Sequence, residues 1–262
     1  MVLTLVVAAS GCMHTSSIGP SPASSSGSGL QIQTFDISDQ SLNPGQPARI
    51  TLELRNYHDQ RVPIDDISLY NTGMLETENQ GCNPSSSEIE QSREDYVPTV
   101  ECSWRVTVPE ENIEGFDSKT IPVKLNLAYQ SELSNSDQPV KIHFQPLSEI
   151  EQTNEVAESF SNSEVQMDIE TESPVQFEGS PVAVTVRNSG NGRVDSNYTF
   201  SYFPEQVLSS CPSEKKPLIE SEASFTCEIE PQTENSQTRN LVFSTSYKYV
   251  KAPTLDVEVV NR

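Results

Sequence analysis

Five cysteines, three histidines and 38 carboxylates are the residues of this chain best equipped for chemistry. Four of the cysteines fall into two pairs, Cys82 with Cys102 and Cys211 with Cys227, each closing a polar loop. Two chemistries compete for them. Zinc needs CxxC or histidine ligands at close spacing, but His14, His58 and His143 are scattered and no CxxC is present. Disulfides need only an oxidising compartment, and closing loops of this size removes unfolded-chain entropy worth about 3 kcal/mol each. The spacing therefore predicts two disulfides in a chain that leaves the cytoplasm.

The remaining candidates are weaker. His58 could be paired with Asp59, Asp65 or Asp66, and those three carboxylates could gather around Ca²⁺, a hard cation that takes oxygen ligands. In so acidic a chain such clusters arise from composition alone, and a turn histidine beside them reads as a solvated surface group. There is no nucleophile elbow, phosphate-cradling glycine loop or metal-binding helix motif. No two carboxylates are marked as a glycoside-cleaving pair. The expectation is a protein that is not an enzyme, with no catalytic residue, metal or cofactor. Tyr57, in the same turn as His58, is the aromatic expected to stand in solvent. Asn197-Tyr198-Thr199 is an acceptor triplet for N-glycosylation in an exported chain.

Composition narrows the partners. With 38 acidic against 16 basic residues the net charge is −22, and no Lys/Arg cluster exists to neutralise phosphates. Nucleic acid is excluded as a partner on that ground, and so is charge-driven docking on anionic lipid. The acidity runs through the whole chain. This is the pattern of a coat solvated in concentrated salt, where the Debye length falls to about 3 Å and self-repulsion is screened; an ordinary acidic extracellular protein is the alternative. A salt-adapted prokaryote is the expected source. Hydrophobic residues make up only 34% of the chain, so each core must be small and a staple across it matters.

These residues must be positioned by strands. Ala48 to Leu54, Trp104 to Val108, Ile121 to Leu127, Val182 to Val186 and Leu241 to Tyr247 alternate apolar and polar residues, the period of a half-buried strand. Arg55-Asn56, Arg61-Val62 and Tyr70 stand 132 residues before Arg187-Asn188, Arg193-Val194 and Tyr202, so the chain repeats itself. The Ser189-Gly190-Asn191-Gly192 turn between alternating segments reads as a hairpin. Seven or so short strands per repeat indicate an immunoglobulin-like sandwich. Between the repeats, Leu147, Ile150, Ala157 and Phe160 fall at helical spacing among Glu, Gln and Asn, and predict a short helix or an acidic linker. Trp104, two residues from Cys102, is expected on the same strand face, beside the bridge.

Two resemblances follow from these residues. The apolar run from Val2 to Ala9, followed by Ala9-Ser10-Gly11-Cys12, resembles the end of a lipoprotein signal peptide, although the first basic residue is Arg49. That implies a lipid on Cys12, the odd cysteine of the five. It also implies that Thr15 to Gly29, rich in Ser, Gly and Pro, is a tether. Pro181 to Gly192, continuing into the aromatic strand that ends at Tyr202, resembles the CARDB-type domain, an immunoglobulin-like module of archaeal and bacterial surfaces. In the first repeat Tyr57-His58-Asp59-Gln60 replaces the Gly-rich turn of that pattern. The resemblance implies export and surface interaction and supplies no catalytic residues.

The resulting expectation is an all-β chain: signal 1–12, tether 13–29, sandwich 30–146, linker 147–163 and sandwich 164–262. It would sit lipid-anchored on the outer face of the cell membrane and bind cell-envelope proteins or surface polymers. The alternatives are an envelope scaffold or filament subunit, in which Leu30 to Ile37 donates a strand to a neighbour, and a polysaccharide-binding accessory to an enzyme.

Overall fold

The computed structural model describes residues 29–261, apart from 86, 111–116, 147–148, 176–179, 212–215, 218–221 and 231–235. Cys12 and the proposed tether up to residue 28 lie outside the described residues. Within them the fold is all-β and immunoglobulin-like, with no α-helix.

The first repeat contributes β1 (Leu30–Ile37), β2 (Ser41–Leu42), β3 (Pro47–Asn56), β4 (Val62–Tyr70), β5 (Glu76–Asn83), β6 (Glu88–Ile89), β7 (Thr99–Thr107), β8 (Ser118–Ser134) and β9 (Val140–Phe144). The second contributes β10 (Asn154–Ser161), β11 (Val165–Ser173), β12 (Ser180–Asn188), β13 (Arg193–Phe203), β14 (Leu208–Ser209), β15 (Lys216–Pro217), β16 (Glu222–Ile229), β17 (Gln237–Lys251) and β18 (Thr254–Val260).

Alternation decides the faces. In β3 Ala48, Ile50, Leu52 and Leu54 are buried while the residues between them are not. In β7 Val100, Cys102, Trp104 and Val106 do the same. Opposite them lie Ile121, Val123, Leu125 and Leu127 of β8. Each such side chain contributes roughly 1.5–3 kcal/mol by leaving water.

The sheet order β1-β3-β7-β5 is the A-B-E-D order of an immunoglobulin-like sheet. The second repeat reproduces it as β11-β12-β16-β14, with β10 added beside β11. Both disulfides occupy the same place in this frame, joining the D strand to the E strand. Cys82 of β5 is bonded to Cys102, directly opposite it on β7, and Cys211, just after β14, is bonded to Cys227 of β16.

The facing sheet is shared. It runs β15-β13-β17-β8-β18-β2, with β4 on β8 and β9 on β17. Strand β8 pairs with 260–254 over its first half and with 251–244 over its second, in one unbroken antiparallel register. Pro253, which has no N–H to give, separates β17 from β18, and its carbonyl still accepts from Leu125 N at 3.1 Å. After Ser134 the register steps, and β9 continues against 241–237 of β17. Asn135 fills the step: its side-chain oxygen accepts from Phe243 N (2.6 Å) and its amide donates to the Leu241 carbonyl (3.3 Å). The F strand of each repeat thus runs straight on to become the G strand of the other.

Three local expectations are corrected. The Gly-rich segment 189–192 is not a hairpin: β12 belongs to the A-B-E-D sheet, whereas β13 pairs with β17 in the shared sheet. The turn is an arch between layers, since both flanking strands present a buried face to the same core. The segment between the repeats holds no helix from 154 onward. It is β10, paired with β11 from Asn154↔Ser173 to Ser161↔Gln166. Val156, Glu158 and Phe160 share one face of this edge strand, and the interposed Glu158 hides the period of two. Leu30 to Ile37 is already paired with β3 of its own repeat, so it is not a free strand awaiting a neighbour.

Candidate functional site

The exchanged strands bring the most ionisable part of the interior to the seam between the repeats. At its centre is Glu164, whose side chain is buried. It arrives there through the tight turn between β10 and β11, where Ser163 takes φ +70°. Asn162 sets that turn, because its side-chain oxygen accepts from the backbone N–H groups of Glu164 (3.3 Å) and Val165 (3.1 Å).

Both repeats supply donors to the carboxylate. Tyr129 of β8 donates at 2.5 Å, Tyr247 of β17 at 3.3 Å, and the Leu30 N–H at 3.4 Å. The His58 Nε2 stands 3.7 Å away, just beyond hydrogen-bond reach. Lys251 donates to the Leu30 carbonyl and lies 5.8 and 5.9 Å from the ring centres of Tyr129 and Tyr249. Tyr249 in turn donates to the Asn188 side-chain oxygen (3.0 Å) and accepts from Gly192 N (2.9 Å).

Burial alone would raise the Glu164 carboxyl. The Tyr129 hydrogen bond, with His58 and Lys251 close by, outweighs it and holds the group below the ordinary carboxylate range. Burial pushes the phenols the other way: Tyr249 rises to about 12, and Tyr129 and Tyr247 rise further, with the Glu164 charge adding to the effect. The cluster is therefore a carboxylate held by neutral phenols. Sealed from solvent, that carboxylate cannot meet a substrate; it clamps the seam.

This places His58 differently from the sequence reading. It is not a solvated surface group, since its side chain keeps only 11% of its exposure and faces Glu164. Tyr57 is half-buried, its N–H on the Gly29 carbonyl at 3.0 Å. Among the described residues the exposed large aromatics are Tyr70, Tyr96 and Phe203 instead. The acids near His58 do not converge on a cation. Asp65 meets Gln130 (2.7 Å) and Lys248 (3.3 Å), and Asp66 meets Ser68 (2.7 Å) and Asn126 (2.6 Å). Among the described residues no three His, Cys, Asp or Glu side chains are grouped closely enough to hold a metal. Trp104 is buried on the same face of β7 as Cys102. Asn197 lies in β13 opposite Pro217, and its side chain is outside the described residues. Nothing in the local sequence of Glu164 marked it; its partners lie 35 and 83 residues away along the chain.

The repeat is visible at atomic level. Asn56 donates its side-chain amide to the carbonyl of Gln60 (3.0 Å), and Asn188 donates to that of Gly192 (2.8 Å). Each Asn closes the arch four residues ahead, which is why the Asn recurs in both repeats.

Outside the clamp, on the outer side of the same seam, lie two adjoining grooves of about 320 and 520 Å³ that share Asn191 and Ala252. Tyr70 of the first repeat and Arg193 of the second both line the smaller one.

No known family model matches this chain, and no curated protein matches it. Among the solved structures weakly similar to it are two of very low identity. The secreted serine protease VesC from Vibrio cholerae is 9% identical, with 87% of this chain and 51% of that one covered and a TM-score of 0.27. The collagen adhesin from S. aureus is 7% identical, with 88% and 92% covered and a TM-score of 0.19. The chain spans about half the length of the protease it matches.

Proposed function

We propose that this chain is an exported, non-enzymatic binding protein of the cell surface, anchored to the outer face of the membrane by a lipid on Cys12. Its immunoglobulin-like repeats, akin to CARDB-type modules, bind an envelope protein or surface polymer in a salt-adapted prokaryote. The observation that carries the reading is the pair of disulfides at one place in both repeats, since such bonds persist in oxidising compartments. The net charge of −22 supports the saline setting. The seam supports a rigid presenting platform, because its ionisable groups are sealed while the grooves beside them stay open.

The test is cross-linking on intact cells in native salt, followed by mass spectrometry of the recovered protein and its partners. The expected result is surface labelling, a lipid-bearing N-terminal Cys12 and a defined envelope partner or glycan. Free thiols on a protein recovered from the cytoplasm would overturn the reading. Links between copies alone would favour the scaffold or filament alternative.

A further inference from the structure

The two repeats place an arginine and a tyrosine at matching positions, and in each repeat a different one is left unengaged. Arg61 is paired with Glu88 at 3.0 Å, whereas Arg193, its counterpart, is exposed and meets no carboxylate among the described residues. Tyr202 packs beside Phe200 with ring centres 6.1 Å apart, whereas Tyr70 keeps 42% of its exposure. Strand exchange carries the free tyrosine of the first repeat to the free arginine of the second, and both line one groove.

The rest of the lining is as selective. Asn126 and Asn191 offer amides beside a floor that includes Ala252, and Lys251 lines the adjoining groove. Neither lining contains Asp or Glu, in a chain with 38 of them. On the other side of the seam, the groove beside His58 is lined by Asp59, Glu132 and Asp137. An acid-free groove with one exposed cation, Arg193, is thus set into an acidic molecule.

We propose that this groove binds a hexuronic acid residue of an acidic polysaccharide, which deepens the surface-binding reading by naming its ligand class. The Tyr70 ring offers an apolar face to the C–H side of a pyranose. The Arg193 guanidinium presents a planar fork that fits a carboxylate. The Asn191 amide donates to and accepts from ring hydroxyls, and Asn126, whose amide is already held by Asp66, offers its side-chain oxygen. In concentrated salt the repulsion between the glycan and the remaining acidic surface is screened beyond about 3 Å, so the local match decides.

The experiment is calorimetric titration of the purified full chain with a galacturonate hexasaccharide, and with uncharged maltohexaose as control, in 0.1 M and 2 M NaCl. The galacturonate is expected to bind and the maltohexaose not. Arg193→Gln and Tyr70→Ala should each weaken binding by about tenfold or more, as for Arg or Tyr at the centre of a contact. Arg61→Gln, the counterpart engaged elsewhere, should leave it unchanged. Absence of galacturonate binding, equal binding of maltohexaose, or equal loss in Arg61→Gln and Arg193→Gln would each overturn the proposal. Failure here leaves the surface reading standing if intact cells still label, and a cytoplasmic location leaves the titration result standing, so the two are separable.

Discussion

In the first repeat the arch after Asn56 is Tyr57-His58-Asp59-Gln60; in the second, after Asn188, it is Ser189-Gly190-Asn191-Gly192. The backbone frame is the same. Each Asn amide closes on the carbonyl four residues later, and each arch donates an N–H to the residue before its A strand: Tyr57 to Gly29, and Ser189 to Glu164. The side chains are complementary. Where the first arch carries bulky His58, the residue it clasps is Gly29, and where the second carries Gly190, the residue it clasps is Glu164. Gly29 takes φ +91°, a conformation L side chains rarely adopt, and a Cβ there would crowd Glu164. At Gly190 and Gly192 the requirement is close approach: a Cβ would overlap Tyr249 at either position. Two copies of one frame have thus divided between them the volume around one buried charge.

The severest way to break the comparison is to part the repeats. Expressed separately as 1–152 and 153–262, each would lack the G strand it borrows. Circular dichroism and urea titration should find both unfolded, with cooperative folding restored on mixing. Two independently stable halves would show that the shared sheet is dispensable.

Removing the charge comes next. Glu164→Ala leaves the buried phenols and the Leu30 N–H without their acceptor and Lys251 without its counter-charge, and should cost about 3–5 kcal/mol in urea unfolding. The folded-state pKa of Glu164 is depressed, so the unfolded chain binds its proton first as pH falls. Its stabilisation is therefore present above the unfolded value and is lost as pH drops through the folded one. Glu164→Gln should flatten this acid limb of the stability curve. An unchanged limb would mean the carboxylate is not held as described.

The smallest effect separates the arches themselves. Gly192→Ala should cost about 1–3 kcal/mol by overpacking against Tyr249. Gln60→Ala, at the matching position in the first repeat, should stay within about 0.5 kcal/mol because its side chain is exposed. Equal costs would dissolve the distinction.

Strand alternation, the cysteine pairing and the Arg-Asn repeat were legible from residue types, because each depends on neighbours within a strand or at a fixed offset. The exchange was not. The partner of Ser118 is Val260, and no local pattern says whether an F strand turns back on itself or runs on. His58 was misread for the same reason: Asp65 and Asp66, close to it in sequence, meet other partners, and the acid it faces is Glu164. The glycines of the second arch were legible as a turn but not as a seat for the Tyr249 ring, which comes from β17.

A further consequence of the exchange concerns the order in which the protein emerges during synthesis. A chain threaded out N-terminus first exposes β8 long before β18. Until then residues 118–124 present an unpaired edge, a template for pairing with the wrong molecule. The first sandwich cannot close before the second has nearly been delivered, so folding is gated by late contacts between distant segments.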